Sequence, residues 1–274
     1  VTTPSTVTAD PLADVAERFA ADVSHHEMTV LRDDGLYRHL RFVRVTQNAE
    51  TGALERSSFY WFDLITWPGC LAVNGDMSGF MFARTEDMFS FFRGHRINPG
   101  YWAEKLCGPS AVKEYSEEKF RKLVTEHITE GDEEFPSLAQ QWPGLAEAVE
   151  QEIFTEGATY HEDGAREALD GFTFGDKHEA ECRCGEKRTF PEYEDARLWL
   201  ATHSAEKGGG HYSKRIGLIE GFRFRDSWER DFRDWSYPFL WCLHAIQWGI
   251  RQYDLTKISP PIAAALSGEG VPSS

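Results

Sequence analysis

The chain is poor in positive charge and in cysteine, and it has no long apolar run. Against 45 Asp+Glu stand only 29 Lys+Arg, a formal net charge of -16 across 274 residues. A molecule so charged repels nucleic-acid phosphate at long range, and proteins that read DNA directly carry the opposite balance. Direct nucleic-acid binding is therefore not expected. No stretch approaches the ~18–20 apolar residues that span a bilayer, so a membrane is not an expected partner. No charged n-region followed by an apolar h-region opens the sequence, so a secretory leader is not expected. The 5 cysteines are odd in number and irregularly spaced, which does not make a disulfide framework and fits a reducing cytoplasm. Signatures of catalysis are scarce as well. There is no Gly-x-Ser-x-Gly elbow. Lys207-Gly208-Gly209-Gly210-His211 lacks the Gly-Lys-Ser/Thr ending of a phosphate loop, and His161-Glu162-Asp163 lacks the i, i+4 histidine pair of a helical zinc hydrolase.

What is present is enough for a substantial core: 41% of residues are hydrophobic and 14% aromatic. Val1–Ala9 is Thr/Ser/Pro-rich, and residues 1–10 read as a flexible N-terminus. Asp10-Pro11 opens a helix to about Val23, with Leu12, Val15, Phe19 and Val23 at helical spacing. A β-rich block follows, with strands expected over His39–Thr46, Ser57–Thr66, Cys70–Val73 and Gly79–Arg84, joined by short turns that favour an antiparallel meander. Thr85, Asn98, Ser116 and Ser137 are expected helix caps, and Pro143-Gly144 interrupts the helix that Ser137 begins. A helix is expected near Ala165–Leu169, then loops or a short hairpin, then a helix from Pro191 to His203. Ser236-Tyr237-Pro238 starts a last helix to about Tyr253, apolar on most sides and so expected in the core. The fold class is α+β: an N-terminal antiparallel sheet of about four strands packed on helices and closed by a buried C-terminal helix. Residues 11–258 read as a single globular domain, with a subdivision near 155–190, and 259–274 as a disordered tail.

The negative charge is concentrated. From Glu114 to Asp163 there are fourteen Asp/Glu against three Lys/Arg (Lys119, Arg121 and Lys122). A solvated helix surface explains much of this. The densest run, Glu130, Asp132, Glu133 and Glu134, is the candidate partner-binding surface, since complementary potentials steer association with a basic protein.

The one cluster of metal-ligating residue types at close spacing is His178, Cys182 and Cys184, a His-x3-Cys-x-Cys pattern. Zinc takes three or four such N/S ligands in a tetrahedron. The Cys-x-Cys spacing is tighter than that of most zinc ribbons, and a fourth ligand from His161, His203 or His211 would come from a distance. The bland alternative is two ordinary thiols in a turn, leaving the protein without a cofactor. His25-His26 with Asp33-Asp34 reads as a polar helix-to-strand loop, because adjacent side chains point apart. Cys70, Cys107 and Cys242 read as small buried hydrophobes. Phe59-Tyr60-Trp61-Phe62 would put alternate rings on opposite strand faces, in a core or a protein interface rather than a base-stacking platform. Arg223, Arg225, Arg230 and Arg233 alternate with acids and read as a salt-bridged surface.

The run from Phe59 to Gly94, Phe-Tyr-Trp-Phe-Asp-Leu-Ile-Thr-Trp-Pro-Gly onward through Gly-Asp-Met and Asp-Met-Phe-Ser-Phe-Phe-Arg, resembles a family of uncharacterised proteins of tailed bacteriophages and prophages. So do Arg96-Ile97-Asn98-Pro99-Gly100-Tyr101-Trp102 and the stretch Trp241–Tyr253. That resemblance covers roughly Arg32–Glu118 and Pro238–Asp254 and brings no catalytic residues with it. In its acidity, its size and its excess of arginine over lysine, the chain is also similar to recombination directionality factors of actinobacterial phages. These resemblances imply a viral protein acting in the host cytoplasm without chemistry of its own. Its partner would be a large serine integrase, whose choice of attachment sites it changes in DNA recombination. The competing expectations are an anti-defence inhibitor or acidic DNA mimic that fills a basic channel, and a metal-dependent enzyme built on His178, Cys182 and Cys184.

Overall fold

The computed structural model describes residues 11–258 other than 95, 133, 156, 158 and 207–212. The expected loose N-terminus, C-terminal tail and Gly208-Gly209-Gly210 connection lie outside these residues. The chain forms two compact units, one from residues up to 114 and from 235 onward, the other from 115 to 234.

The first unit begins with α1 (Pro11–Asp22) and continues into a five-stranded antiparallel meander, β1 (His26–Asp34), β2 (Tyr37–Gln47), β3 (Leu54–Trp67), β4 (Cys70–Gly75) and β5 (Gly79–Ala83), paired in sequence order. The short helices α2 (Met88–Phe92) and α3 (Pro99–Ala103) follow. The sheet has one strand more than the four expected. β1 falls on the segment read as a polar loop; most of it is exposed at the sheet edge, so no apolar alternation marks it. Along β2, β3, β4 and β5 the alternate residues Leu40, Phe42, Phe62, Leu64, Leu71, Val73, Phe80 and Phe82 are buried, which defines the core face. That face is covered by α9 (Tyr237–Thr256), the last helix among the described residues.

The short strands β6 (Lys113–Tyr115) and β10 (Arg233–Trp235) carry the chain out of the first unit and back. Between them lie α4 (Glu117–Thr129), α5 (Leu138–Gln141), α6 (Leu145–Glu152) and α7 (Glu162–Gly171). Then come β7 (Lys177–Cys182), β8 (Lys187–Phe190), α8 (Tyr193–Glu206) and β9 (Ser213–Ile219). Ser116 caps α4 by accepting from Lys119 N, and Ser137 caps α5 in a reciprocal capping box with Gln140. Gly144, at φ +91°, breaks the path between α5 and α6 where Pro143-Gly144 predicted an interruption. The cap before α2 is Asp87, not the expected Thr85: its carboxylate accepts from Phe89 N and also from Arg38, so the same side chain closes the helix and pins it to β2. The second unit holds two cores. The larger packs Phe120, Val124, Leu145, Val149, Leu169 and Phe232; the smaller, between α8 and the β8-β7-β9 sheet, has Ala180, Cys182, Ala196 and Leu200 as its buried apolar residues among those described.

In the first unit Ser236 caps α9, accepting from Phe239 N, with Pro238 in the opening turn. The helix buries Phe239, Trp241, Leu243, Ile246 and Ile250 among the sheet's core residues. Trp241 meets Phe62 edge-on at 5.6 Å, and its indole N–H donates to Asp22 at 2.9 Å. At Gly249 the helix lies tight on the sheet: a Cβ there would lie 2.6 Å from Leu64 Cδ1 and 3.0 Å from Phe42 Cζ. Gly249→Ala is therefore expected to destabilise the protein by about 1–3 kcal/mol in denaturant unfolding through overpacking. At an exposed helical position the same change would gain up to ~1 kcal/mol, so the sign of the effect checks the packing.

Candidate functional site

The acidic run of the second unit is a folded loop. Helix α4 ends at Thr129, and the N–H of its capping residue Glu130 still donates to Glu126 O at 2.8 Å. The Asp132 carboxylate then accepts from the N–H groups of Glu134 (2.9 Å) and Phe135 (2.7 Å), and Asp132 N donates to Phe135 O at 2.9 Å. This side chain-to-backbone turn is the local structure that aspartate favours outside helices. Gly131 permits it, because a Cβ there would lie 2.3 Å from Ser137 N. Of the four predicted residues, Glu130, Asp132 and Glu134 are exposed, and Glu133 lies outside the described residues. Asp132 is committed to the turn, so the outward charge is that of Glu130 and Glu134. Between them and Ser137 stands Phe135, 67% exposed, which charge counting gave no reason to single out.

Surrounding charge keeps this surface negative. Arg121 is bound to Glu117 and to Phe154 O, Lys122 faces Glu126 at 3.8 Å, and Lys119 donates to Arg233 O at 2.7 Å. Exposed carboxylates remain at Glu118, Glu130, Glu134, Glu147, Glu150 and Glu152.

The metal-ligating residues divide differently from the sequence pattern. Cys182, Cys184 and His203 bring one donor atom each to within 4.8 Å of one another. Cys182 is the last residue of β7 and Cys184 lies in the β7–β8 turn, where Gly185 N donates to Cys182 O at 2.9 Å and Gly185 takes φ +91°. His203 comes from α8, buried beneath Trp199, whose ring stacks on it at 4.9 Å. Its Nε2 lies 3.3 Å from Cys184 Sγ, and its Nδ1 lies 3.7 Å from Glu186 Oε2. His178 is not in this group. It sits four residues before Cys182 in β7, a distance of about 13 Å along a strand, and its ring meets Tyr193 edge-on at 5.6 Å. His161 is the residue before α7, and His211 lies outside the described residues.

The polar run at the start of the sheet serves the first unit's structure. His26 Nε2 is 3.0 Å from Tyr60 O, and Asp33 accepts from Tyr253 Oη at 2.7 Å and from Lys257. The four consecutive aromatics do not alternate simply, because β3 bulges opposite β2 between Phe62 and Ser57. Tyr60 takes φ +58° there, held by its N–H donating to Asp76 at 2.9 Å. Phe59 is exposed, Tyr60 stacks on Trp241, Trp61 lies under the Arg41 guanidinium, and Phe62 is core. Cys242 is buried, as expected, whereas Cys70 and Cys107 are half-buried. In the arginine-rich stretch Arg233 pairs with Asp231 within the mixed pattern, and Arg223 pairs with Asp176 outside it. Sequence reasoning missed a buried ionic group: Asp63, 5% exposed, accepts two hydrogen bonds from Arg41 (2.9 and 2.8 Å) and lies 2.8 Å from His39 Nε2. The available signal was a lone aspartate between Phe62 and Leu64.

No helix among the described residues is long and apolar enough to cross a membrane. No protein-family model matches the chain, and neither curated proteins nor solved structures give a match.

Burial pushes His26 and His244 below the ordinary histidine value of 6.5, outweighing the hydrogen bonds that each makes to backbone, Tyr60 for the first and Leu12 for the second. The remaining ring nitrogens, His26 Nδ1 and His244 Nε2, are buried with no partner among the described residues. Burial alone would raise Asp63 and Asp87, but hydrogen bonds from Arg41 and His39 to the first and from Arg38 to the second win, holding both below 3.8. The unfolded chain therefore binds more protons than the fold in both ranges, so stability is present at neutral pH and lost on acidification. Thermal melting is expected to fall as pH drops below 6.5 and to fall again below 3.8. In His244→Gln the first of these decreases is expected to become shallower.

Proposed function

We propose that this is a phage-encoded, non-enzymatic regulator that acts by binding another protein, and that its specific role is that of a recombination directionality factor on a large serine integrase. The observation that carries the reading is the loop locked by Asp132, which offers Glu130, Glu134 and Phe135 to solvent in a fixed geometry. A loop already folded loses little conformational freedom on association. An exposed aromatic beside carboxylates supplies an apolar anchor, while the charge speeds encounter with a basic patch. The resemblance to phage proteins supplies the biological setting, and the similarity to directionality factors supplies the partner.

Such a factor needs no chemistry. It must bind the integrase arrangement that joins one pair of attachment sites more tightly than the arrangement that joins the other. Each tenfold preference shifts that balance by about 1.4 kcal/mol.

Recombination by the purified cognate integrase on both pairs of attachment sites tests the proposal. Adding the protein is expected to favour excision over integration. The triple variant Glu130→Gln/Glu134→Gln/Phe135→Ala is expected to lose at least tenfold of that effect while keeping its melting temperature. Unchanged excision and integration would overturn the directionality role. Salt-sensitive inhibition of a basic host nuclease in its place would select the DNA-mimic reading.

A further inference from the structure

The geometry points to a zinc site formed by Cys182 at the end of β7, Cys184 in the β7–β8 turn and His203 of α8, which fastens the hairpin to the helix. The inference does not depend on the docking role proposed above. Four observations meet here. The donor set is two thiols and an imidazole, the soft and borderline ligands that zinc takes in closed sites. The donor atoms lie within 4.8 Å of one another, with Cys184 Sγ to His203 Nε2 at 3.3 Å. In a tetrahedral zinc site such atoms are separated by roughly 3.5–3.8 Å, given the usual metal–ligand bond lengths. Small adjustments of two side chains would thus admit the ion.

The histidine is also oriented as a ligand. Its Nε2 faces the sulfur, while its Nδ1 faces the Glu186 carboxylate at 3.7 Å. Metal-bound histidines commonly direct the second ring nitrogen to a carboxylate, which fixes the ring and strengthens the donor. Glu186 is placed for this by the turn itself, because Cys182 N donates to Glu186 O at 2.9 Å.

The fourth observation is the size of the core around the cluster. Among the described residues the β8-β7-β9 sheet and α8 bury four apolar side chains, Ala180, Cys182, Ala196 and Leu200, with Phe190, Trp199 and Ile216 half-covered. A segment this short, well under ~70–80 residues, gains little from such a core and is characteristically held by a metal or disulfides. Two cysteines separated by one residue at a turn, facing a buried histidine, match the metal solution. On binding, the two S–H bonds give way to S–Zn bonds and two protons pass to solvent, leaving the site neutral with a neutral imidazole. The described residues supply three ligands, and a tetrahedral ion takes one more donor.

The test uses the full chain, purified under reducing conditions. Elemental analysis is expected to find about one zinc per chain. Cobalt exchanged into the protein is expected to show thiolate-to-metal charge-transfer absorption. Cys182→Ser and Cys184→Ser should each abolish that absorption, and His203→Asn should shift or abolish it, whereas His178→Ala should leave it intact. Because Cys184 is exposed, its serine variant should keep α9 as slowly exchanging as in the wild type even if the His203 variant does not fold. Chelation of the wild-type protein should accelerate amide exchange across Lys177–Ile219 and leave α9 unchanged. A chain that takes up no stoichiometric zinc, holds copper or iron in its place, or keeps its cobalt spectrum in Cys184→Ser would overturn the assignment.

Discussion

Helix α9 is apolar on nearly every side, and such a helix has no stable position except inside a shell of other elements. The first unit is the shell. The core face of the meander meets α9 through Phe42, Phe62 and Leu64, and α1 closes over it through Phe19, whose ring meets Trp241 at 5.0 Å. The order of the chain makes this a long-range closure: the sheet is complete by Ala83, and the helix that completes its core begins at Tyr237. Everything in the second unit is inserted between those two points. The sheet register is fixed by the same constraint, since a one-residue slip would turn Phe42, Phe62 and Leu64 to the opposite face.

The inserted unit can carry features that the first does not depend on. Its acidic surface is borne by α4, α6 and the loop between α4 and α5, elements whose own core is built from Phe120, Val124, Leu145 and Val149. The charges therefore cost the fold little, as solvated carboxylates on the outer faces of amphipathic helices do. The Cys182, Cys184 and His203 cluster sits on a separate, smaller core, where a single ion would supply cohesion that buried apolar area does not.

Much of the fold was legible because its signals are local. Ser116, Ser137, Asn98 and Ser236 act as caps where their sequences say they should, since a cap is decided by a few neighbouring residues. The burial of α9 was legible from its composition alone. Strand β1 was not, because an exposed edge strand lacks the alternation that burial imposes. At the candidate sites the residue types were legible and their partners were not. Cys182 and Cys184 stood out, but His178 was the nearer histidine in sequence, and only the packing of α8 on β7 shows that His203 is the nearer in space. The acidic run was visible in the charge count, whereas the division of labour within it depends on backbone geometry: Asp132 holds the turn, and Glu130, Glu134 and Phe135 face solvent.

If the loop between α4 and α5 is what a protein partner binds, amide exchange of the full chain, measured alone and with saturating serine integrase, will register it. New protection is expected in residues 130–137 and along the adjoining faces of α4 and α6, with α9 exchanging equally slowly in both samples. Exchange in that loop unaltered by the integrase, with protection confined to other surfaces or absent altogether, would contradict it.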